Sequence, residues 1–485
     1  MIPYIQCASS FLKMEKDSED VVNNFMYNEV NIWQYLRFLY NQQFLNGCAH
    51  AHPYIVKNER DYYLDKDIEL LPQYYKIFRL LPKNAILIWT DNACHNQRIN
   101  GKRYNPYLDY IIEASKMKGE ATIKLVNDYV ESGEELLYPG IGLCFFQSRE
   151  RINKIGNYEE GMLQRYYDRC RAYKTPCLSF SDVVDYYYEI NAFCRLFQRI
   201  LDIVRPKVVF LENYYAIKNL AICHACRIKG ITCVDYQHGL QEWPHMAYHL
   251  PILRNDGWEI LPKYFFTWGK PAAENLKKFF IKQCFHKVVI AGKPDYFAWK
   301  LGLIQDAENI EKLKKIIDGR VPICVALPIN LSGETGENAT NDVISAIKKS
   351  HSDFFWLIRK HPLYDDGTIE AYRKLGGKVE INFSSVINCH DIFNLSHHMV
   401  IGKSTTAYEA IYLHKQHVTT LFKSARQPFF REFMSKSMHF AGNSDELLED
   451  IKNGLDGYPW EATCLPYIDT SMEKFNNALK LVCDA

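Results

Sequence analysis

K-V-V-F-L-E-N, residues 207–213, is a short apolar run that opens after Pro206 and ends on two polar residues. A run of this length, β-branched and bounded by a proline, reads as a buried strand, here Lys207–Leu211. Tyr215–Lys229 follows with helical periodicity and stops at Gly230, the residue type that accepts a left-handed C-terminal turn. Ile231–Tyr236 (I-T-C-V-D-Y) then repeats the strand pattern. Strand, helix and strand in succession form a βαβ unit, so the two strands are expected to be parallel neighbours in an α/β fold.

The same alternation resumes downstream. Val321–Leu327 reads as a strand, Asn341–Lys349 as a helix, and Phe354–Ile358 as a strand. His398–Ile401 and His417–Phe422 continue the set around a helical run, Thr406–His414. Tyr264–Lys270 and Val288–Pro294 are short strands leading to a crossing point near residues 293–300. A chain of 485 residues exceeds what one core usually serves. The expected division is 1–295, 296–460, and a last helical stretch, 461–485, crossing back to the first half. The first ~180 residues offer one clear strand, Ala85–Trp89, among polar, tyrosine-rich helical runs.

Bulk numbers narrow the function classes. A formal net charge of +1 argues against a nucleic-acid binder. The chain starts Met1-Ile2-Pro3-Tyr4 without a basic region and apolar run, and its 15 cysteines are scattered, so reduced thiols in a cytoplasm are expected. No apolar stretch approaches the ~20 residues that span a bilayer, which still leaves room for peripheral association with the inner face of a membrane. Cys223 and Cys226 form C-x-x-C inside a helical run with no second pair, so core packing is favoured over a metal. No metal and no cofactor are expected.

Ligands of an open parallel sheet bind beyond the carboxyl ends of its strands, and four polar stretches sit there. Glu212 and Asn213 follow the first strand of the βαβ unit; Gln237, His238 and Gly239 follow the second, with Asp235 near its end. Glu212, Asp235 and His238 are therefore expected on one cleft, each a candidate base, with His238 preferred because its ordinary pKa is nearest neutrality. Arg359, Lys360, His361 and Pro362 follow Phe354–Ile358, where successive cations suit a phosphate. Gly402, Lys403, Ser404, Thr405 and Thr406 turn from His398–Ile401 into a helix whose N–H groups and hydroxyls suit a phosphate, with Glu409 a turn later. Plain alternatives are a turn at Gly239, a solvated basic turn at Arg359, and simple capping by Ser404 or Thr405. The Gly402-Lys403-Ser404 triplet is not a P-loop, because position 397 is His rather than Gly. Asp65-Lys66-Asp67 imitates a metal-binding D-x-D but is expected to be surface beside a polar helical run.

In this order, Q-H-G (237–239), W-G (268–269), G-K-P (292–294), H-P (361–362) and S-T with a following Glu (404, 405, 409) resemble the bacterial capsule and lipopolysaccharide glycosyltransferases of GT-B fold. Sialyltransferases, Kdo transferases and teichoic-acid glycerophosphotransferases share parts of the pattern. The resemblance covers about residues 205–425 and implies two Rossmann-like domains facing a central cleft. It also implies a nucleotide-sugar donor, CMP- or NDP-linked, and an oligosaccharide or lipid-linked acceptor. His361 would contact the donor phosphate and act as acid for the leaving nucleotide, Ser404 and Thr405 would hold the phosphate, and Glu409 the ribose. Glu212-Asn213 is followed by Tyr214, where the sialyltransferase acidic motif has Gly, so the sequence departs from that family there. A glycerophosphate transferase and an inactive scaffold are the alternative readings; a nucleotide-sugar epimerase is less favoured, given the H-P and S-T pair.

Overall fold

The computed structural model describes residues 4–45, 62–127, 135–152, 157–239, 241, 245–250, 255–280, 283–326, 336–359, 366–382, 387–401, 404–414, 416–421, 438–455 and 467–484. Within them, two parallel sheets carry the architecture. The first holds β1 Ile86–Asp91, β2 Thr122–Asn127, β3 Ile141–Leu143, β4 Val208–Glu212, β5 Thr232–Tyr236, β6 Tyr264–Thr267 and β7 Lys287–Ile290. Its order is β7-β6-β5-β4-β1-β2-β3. The second holds β8 Val321–Ala326, β9 Phe354–Arg359, β10 Val379–Glu380, β11 His398–Ile401, β12 His417–Thr420 and β13 Met438–Phe440, ordered β10-β9-β8-β11-β12-β13. β4 and β5 pair in parallel from Val208 with Thr232 to Glu212 with Tyr236, so the βαβ unit expected from residues 207–236 is present.

Strand alternation splits the first sheet into two faces. Leu87, Trp89, Val209, Leu211 and Cys233 point to one face, which packs under α1 (Tyr4–Asp17), α2 (Trp33–Leu45), α3 (Phe180–Val204) and α4 (Ile217–Lys229). Ile86, Ile88, Val208, Phe210, Val234 and Tyr236 point to the other and meet the helix Asp109–Lys116 and the last helix, Met472–Cys483. Cys223 and Cys226 of α4 are buried in the first of these cores, with Cys223 Sγ 3.6 Å from Cys233 Sγ. The second sheet has its own core around Trp356, Leu357 and Ile358.

Within these two sheets four strands escape the sequence pattern: β2, β3, β10 and β13. In β2, T-I-K-L-V-N, the apolar run is broken by Lys124, whose buried ammonium is satisfied by Asp109 at 2.5 Å. Asp65-Lys66-Asp67 sits in a strand, Tyr62–Leu70, rather than beside a helix. That strand pairs antiparallel with Phe145–Ile152, and its register shifts between Asp65 and Asp67.

The tail lies against the first sheet. Tyr110 Oη donates to Met472 Sδ at 3.2 Å, Phe475 packs on Tyr110 and Phe297, and Asp469 N donates to the Trp268 carbonyl at 2.7 Å. Gly292 makes room for it: φ is +75°, and a Cβ there would stand 2.6 Å from the Asp469 carbonyl oxygen. Among the described residues no helix is long and apolar enough to cross a membrane.

Candidate functional site

Each sheet reverses its winding once. In the first, the chain runs outward from β1 through β2 to β3, then returns to lay β4 on the other side of β1. In the second, the reversal falls between β8 and β11. Crevices at such points, at the carboxyl ends of the strands, are where open α/β sheets bind ligands. Asp91 ends β1 and Glu212 ends β4, so the first crevice carries two carboxylates.

Glu212 is almost fully buried. Its Oε1 accepts from Thr90 Oγ1 at 2.7 Å and from Asp91 N at 3.2 Å. Its Oε2 is buried with no N–H or O–H donor among the described residues, and the Cys94 thiol lies beside the carboxyl. Burial, aided by the Asp91 charge, pushes the Glu212 carboxyl up to about 7. Thr90 is itself fixed, since Asn105 Nδ2 donates to its Oγ1 at 2.7 Å. Asn127, ending β2, donates to the Asp91 carboxylate and accepts from Lys218 Nζ at 2.8 Å. His95 lies at the same strand ends, its Nδ1 3.2 Å from the Asp91 carbonyl, and burial holds it down to about 3, a neutral imidazole.

Asn213 adopts the left-handed conformation, φ +58°, and its carbonyl accepts from Asn219 Nδ2 at 2.9 Å. The next wall follows β5. Gln237 is a brace rather than a cleft residue: its Oε1 accepts from Trp268 N at 2.6 Å and its Nε2 donates to the Gly239 carbonyl at 2.8 Å. Q-H-G and W-G are thus tied together, and Gly239 has open space where a Cβ would project. His238 Nε2 lies 3.2 Å from Tyr215 Oη, and burial lowers the ring to about 4. Asp235 points to the opposite face of the sheet from Glu212. Its side chain falls on the helix-covered face, accepting from Tyr214 N at 3.2 Å and from Tyr248 Oη at 3.1 Å. Strand alternation is the reason.

In the second sheet, Arg359 Nη1 donates to the Ile387 carbonyl at 2.8 Å. Lys360, His361, Pro362, Gly402 and Lys403 lie outside the described residues. Ser404 Oγ accepts from Thr406 N at 3.3 Å and from Thr406 Oγ1 at 2.9 Å, just before the short helix that follows Thr405. That helix, Thr406–Tyr408, widens into a π-turn at Glu409–Leu413, a distortion frequent at functional sites.

Glu409 connects the halves. Its Oε2 is 3.2 Å from Lys293 Nζ, which also pairs with Asp295. Asp295 Oδ2 lies 3.2 Å from His390 Nε2, and His390 Nδ1 is 3.0 Å from His414 Nε2. Burial favours the neutral lysine, but Asp295 and Glu409 outweigh it and hold Lys293 above its usual value. Asp295 is pulled down to about 2 against its own burial by Lys293 and His390. Asp295, His390 and Glu409 are close enough to share a metal ion; the Lys293 ammonium already supplies positive charge in that space.

Sequence reasoning did not assign Asn127, Tyr215, Lys218, Lys293, Asp295 or His390 to the site. Asn127 ends a strand it did not find, and Lys293 and Asp295 lie in and beside the G-K-P it noticed, so a signal existed for those. No protein-family model matches the chain, and no curated protein sequence matches it. Solved structures do. UDP-GlcNAc 2-epimerase from Neisseria meningitidis, bound to UDP-GlcNAc, has a TM-score of 0.50 at 14% identity, covering 82% of this chain and 98% of that one. The UDP-GlcNAc 2-epimerase of Methanocaldococcus jannaschii gives 0.50 at 13% identity, with 83% and 100% covered. The wall teichoic acid polymerase TagF gives 0.44 at 10% identity, with 85% and 86% covered. At these identities the likeness is one of architecture: the chain has the two-sheet α/β architecture of the GT-B type.

Proposed function

We propose that this chain is a GT-B nucleotide-sugar enzyme that transfers the sugar to a growing surface polysaccharide of capsule or lipopolysaccharide type. The acceptor is an oligosaccharide or a lipid-linked chain at the inner face of the membrane. The observation that carries the reading is Glu212: a carboxyl raised to about 7, one oxygen without an N–H or O–H donor, at the point where the first sheet reverses its winding. A general base works best with a pKa near the operating pH. Glu212 takes the proton of the acceptor hydroxyl as that oxygen attacks the anomeric carbon, and the nucleotide leaves. Glu212 is therefore preferred to His238, whose ring is held near 4, and to Asp235, whose oxygens are both engaged. Arg359, Lys360, His361, Pro362 and Gly402 to Thr406 receive the donor phosphate, and Glu409 its ribose.

Thermal-shift screening against CMP, UDP, GDP and dTDP, with and without linked sugars, identifies the donor; a ligand at a hundred times its Kd stabilises by about 2.7 kcal/mol. Product analysis with a polysaccharide acceptor extract then tests transfer. Release of glycerol phosphate in place of a sugar would indicate the polyol-phosphate reading, and absence of any nucleotide binding the scaffold. The carboxylate pair Asp91 and Glu212 favours a second reading, a nucleotide-sugar epimerase, which needs one group to remove a carbon-bound proton and one to return it. Incubation with the donor alone in D2O separates the two: carbon-bound deuterium marks an epimerase, whereas a transferase leaves the sugar carbons unlabelled.

A further inference from the structure

We propose that His238, Tyr215 and His245 form a subsite for a sugar hydroxyl, with His245 a further substrate-side residue and Arg37 its positioning residue. The proposal rests on the nucleotide-sugar reading and specifies which part of the ligand this wall takes.

Tyr215 Oη stands between the two imidazoles, 3.2 Å from His238 Nε2 and 3.3 Å from His245 Nε2, and its ring packs against both. One nitrogen of each histidine is thereby engaged. The other, Nδ1, is buried in both rings and makes no hydrogen bond to another described residue. A buried polar atom left unpaired is unfavourable, and two of them on rings joined through one tyrosine hydroxyl give a ligand two adjacent groups to pair with. The ligand's chemistry follows from charge. Burial lowers His238 to about 4, and burial with the neighbouring His238 lowers His245 to about 3, so both rings are neutral near pH 7. Neutral imidazoles offer phosphate no countercharge; they suit a hydroxyl, which donates and accepts. Tyr107 closes the other side of His238, ring against ring at 6.0 Å.

His245 begins a segment whose backbone is held from outside the sheet. Arg37 of α2 donates Nη1 to the Met246 carbonyl at 2.7 Å and Nη2 to the His249 carbonyl. Its Nε pairs with buried Glu15 of α1 at 2.9 Å, and Trp33 Nε1 donates to the same carboxylate at 2.9 Å. Tyr214 Oη takes the Ala247 carbonyl, and Tyr248 Oη reaches Asp235. The N-terminal helices and Asp235 thus fix where His245 stands.

The test uses the full-length protein labelled with 15N-histidine, its imidazole signals assigned by H238Q and H245Q, or by H245N if H245Q does not fold. The probes are UDP-GlcNAc against UDP, and CMP-N-acetylneuraminate against CMP. The expected result is that whichever sugar nucleotide binds moves the Nδ1 signals of both His238 and His245, while its sugar-free nucleotide moves neither. Y215F, which keeps the ring, moves both Nε2 signals without ligand, and R37K moves His245 while leaving His398 of the second sheet unchanged. Binding that moves His238 alone, or neither ring, overturns the inference and leaves the nucleotide-sugar reading standing. So does an equal response to the bare nucleotide. If no member of the CMP, UDP, GDP and dTDP set binds, with or without a linked sugar, as judged by thermal shift, the nucleotide-sugar reading fails and this subsite with it.

Discussion

Replacing Glu212 by Gln separates its chemical role from its cost to the fold. The carboxyl is raised from its usual 4.5 to about 7, mainly by burial and then by Asp91. A raised carboxyl binds its proton more tightly in the folded chain than in the unfolded one. Below pH 4.5 both states are protonated and the shift costs nothing. As pH rises from 4.5 to 7 the unfolded chain releases its proton first, so stability falls, and above pH 7 the full cost remains. At 1.36 kcal/mol per pKa unit this is about 3 kcal/mol. Gln keeps an acceptor for the Thr90 hydroxyl and the Asp91 N–H but never ionises. E212Q is therefore expected to gain stability relative to the parent as pH rises, by up to about 3 kcal/mol at pH 8.5 and by none of this term at pH 4. Turnover should fall by about a hundredfold or more, the usual worth of a general base, with donor affinity unchanged. Urea denaturation at pH 5, 7 and 8.5, calorimetric donor binding, and initial rates with acceptor supply the three readings. A variant with near-full turnover, and a stability difference flat across pH, would refute the assignment.

Lys293→Met leaves Asp295 and Glu409 facing each other without their cation. Breaking a buried pair in this way costs about 3–5 kcal/mol, readable by urea denaturation. Asp295 is depressed from 3.8 to about 2, so its stabilisation is present above pH 4 and is lost as pH falls toward 2. Acid denaturation of the parent against D295N, which lacks that term, checks the sign. Gly292→Ala places a Cβ against the Asp469 carbonyl at a left-handed residue, which alone costs roughly 1–2 kcal/mol; a lowered Tm, together with faster proteolysis of the tail, is the expected outcome. His361→Ala, and Ser404→Ala combined with Thr405→Ala, should weaken nucleotide binding by about 1.5–3 kcal/mol per lost charged hydrogen bond, measured by calorimetry, while E212Q does not.

The residue sequence determined the local units. A proline, an apolar run and a glycine stop in residues 206–230 were enough to give a parallel βαβ unit, because helix and strand periods are written in neighbouring residues. The same logic placed Glu212, His238, Arg359 and Ser404 at or just beyond strand ends. It failed where a strand's interior is polar, as at Lys124 in β2, since the partner that makes Lys124 tolerable is Asp109, on another element. Tertiary structure alone decided which strand ends are neighbours. Glu212 draws its hydrogen bonds from Thr90 and Asp91 of β1, more than a hundred residues earlier, and its raised pKa from burial first and the Asp91 charge second. Asp235 was turned by the pleat of its strand toward Tyr214 and Tyr248, and Glu409 met Lys293 only because the chain crosses between the sheets there. Burial and long-range charge pairing set the chemistry of these groups, and both are properties of the packed chain.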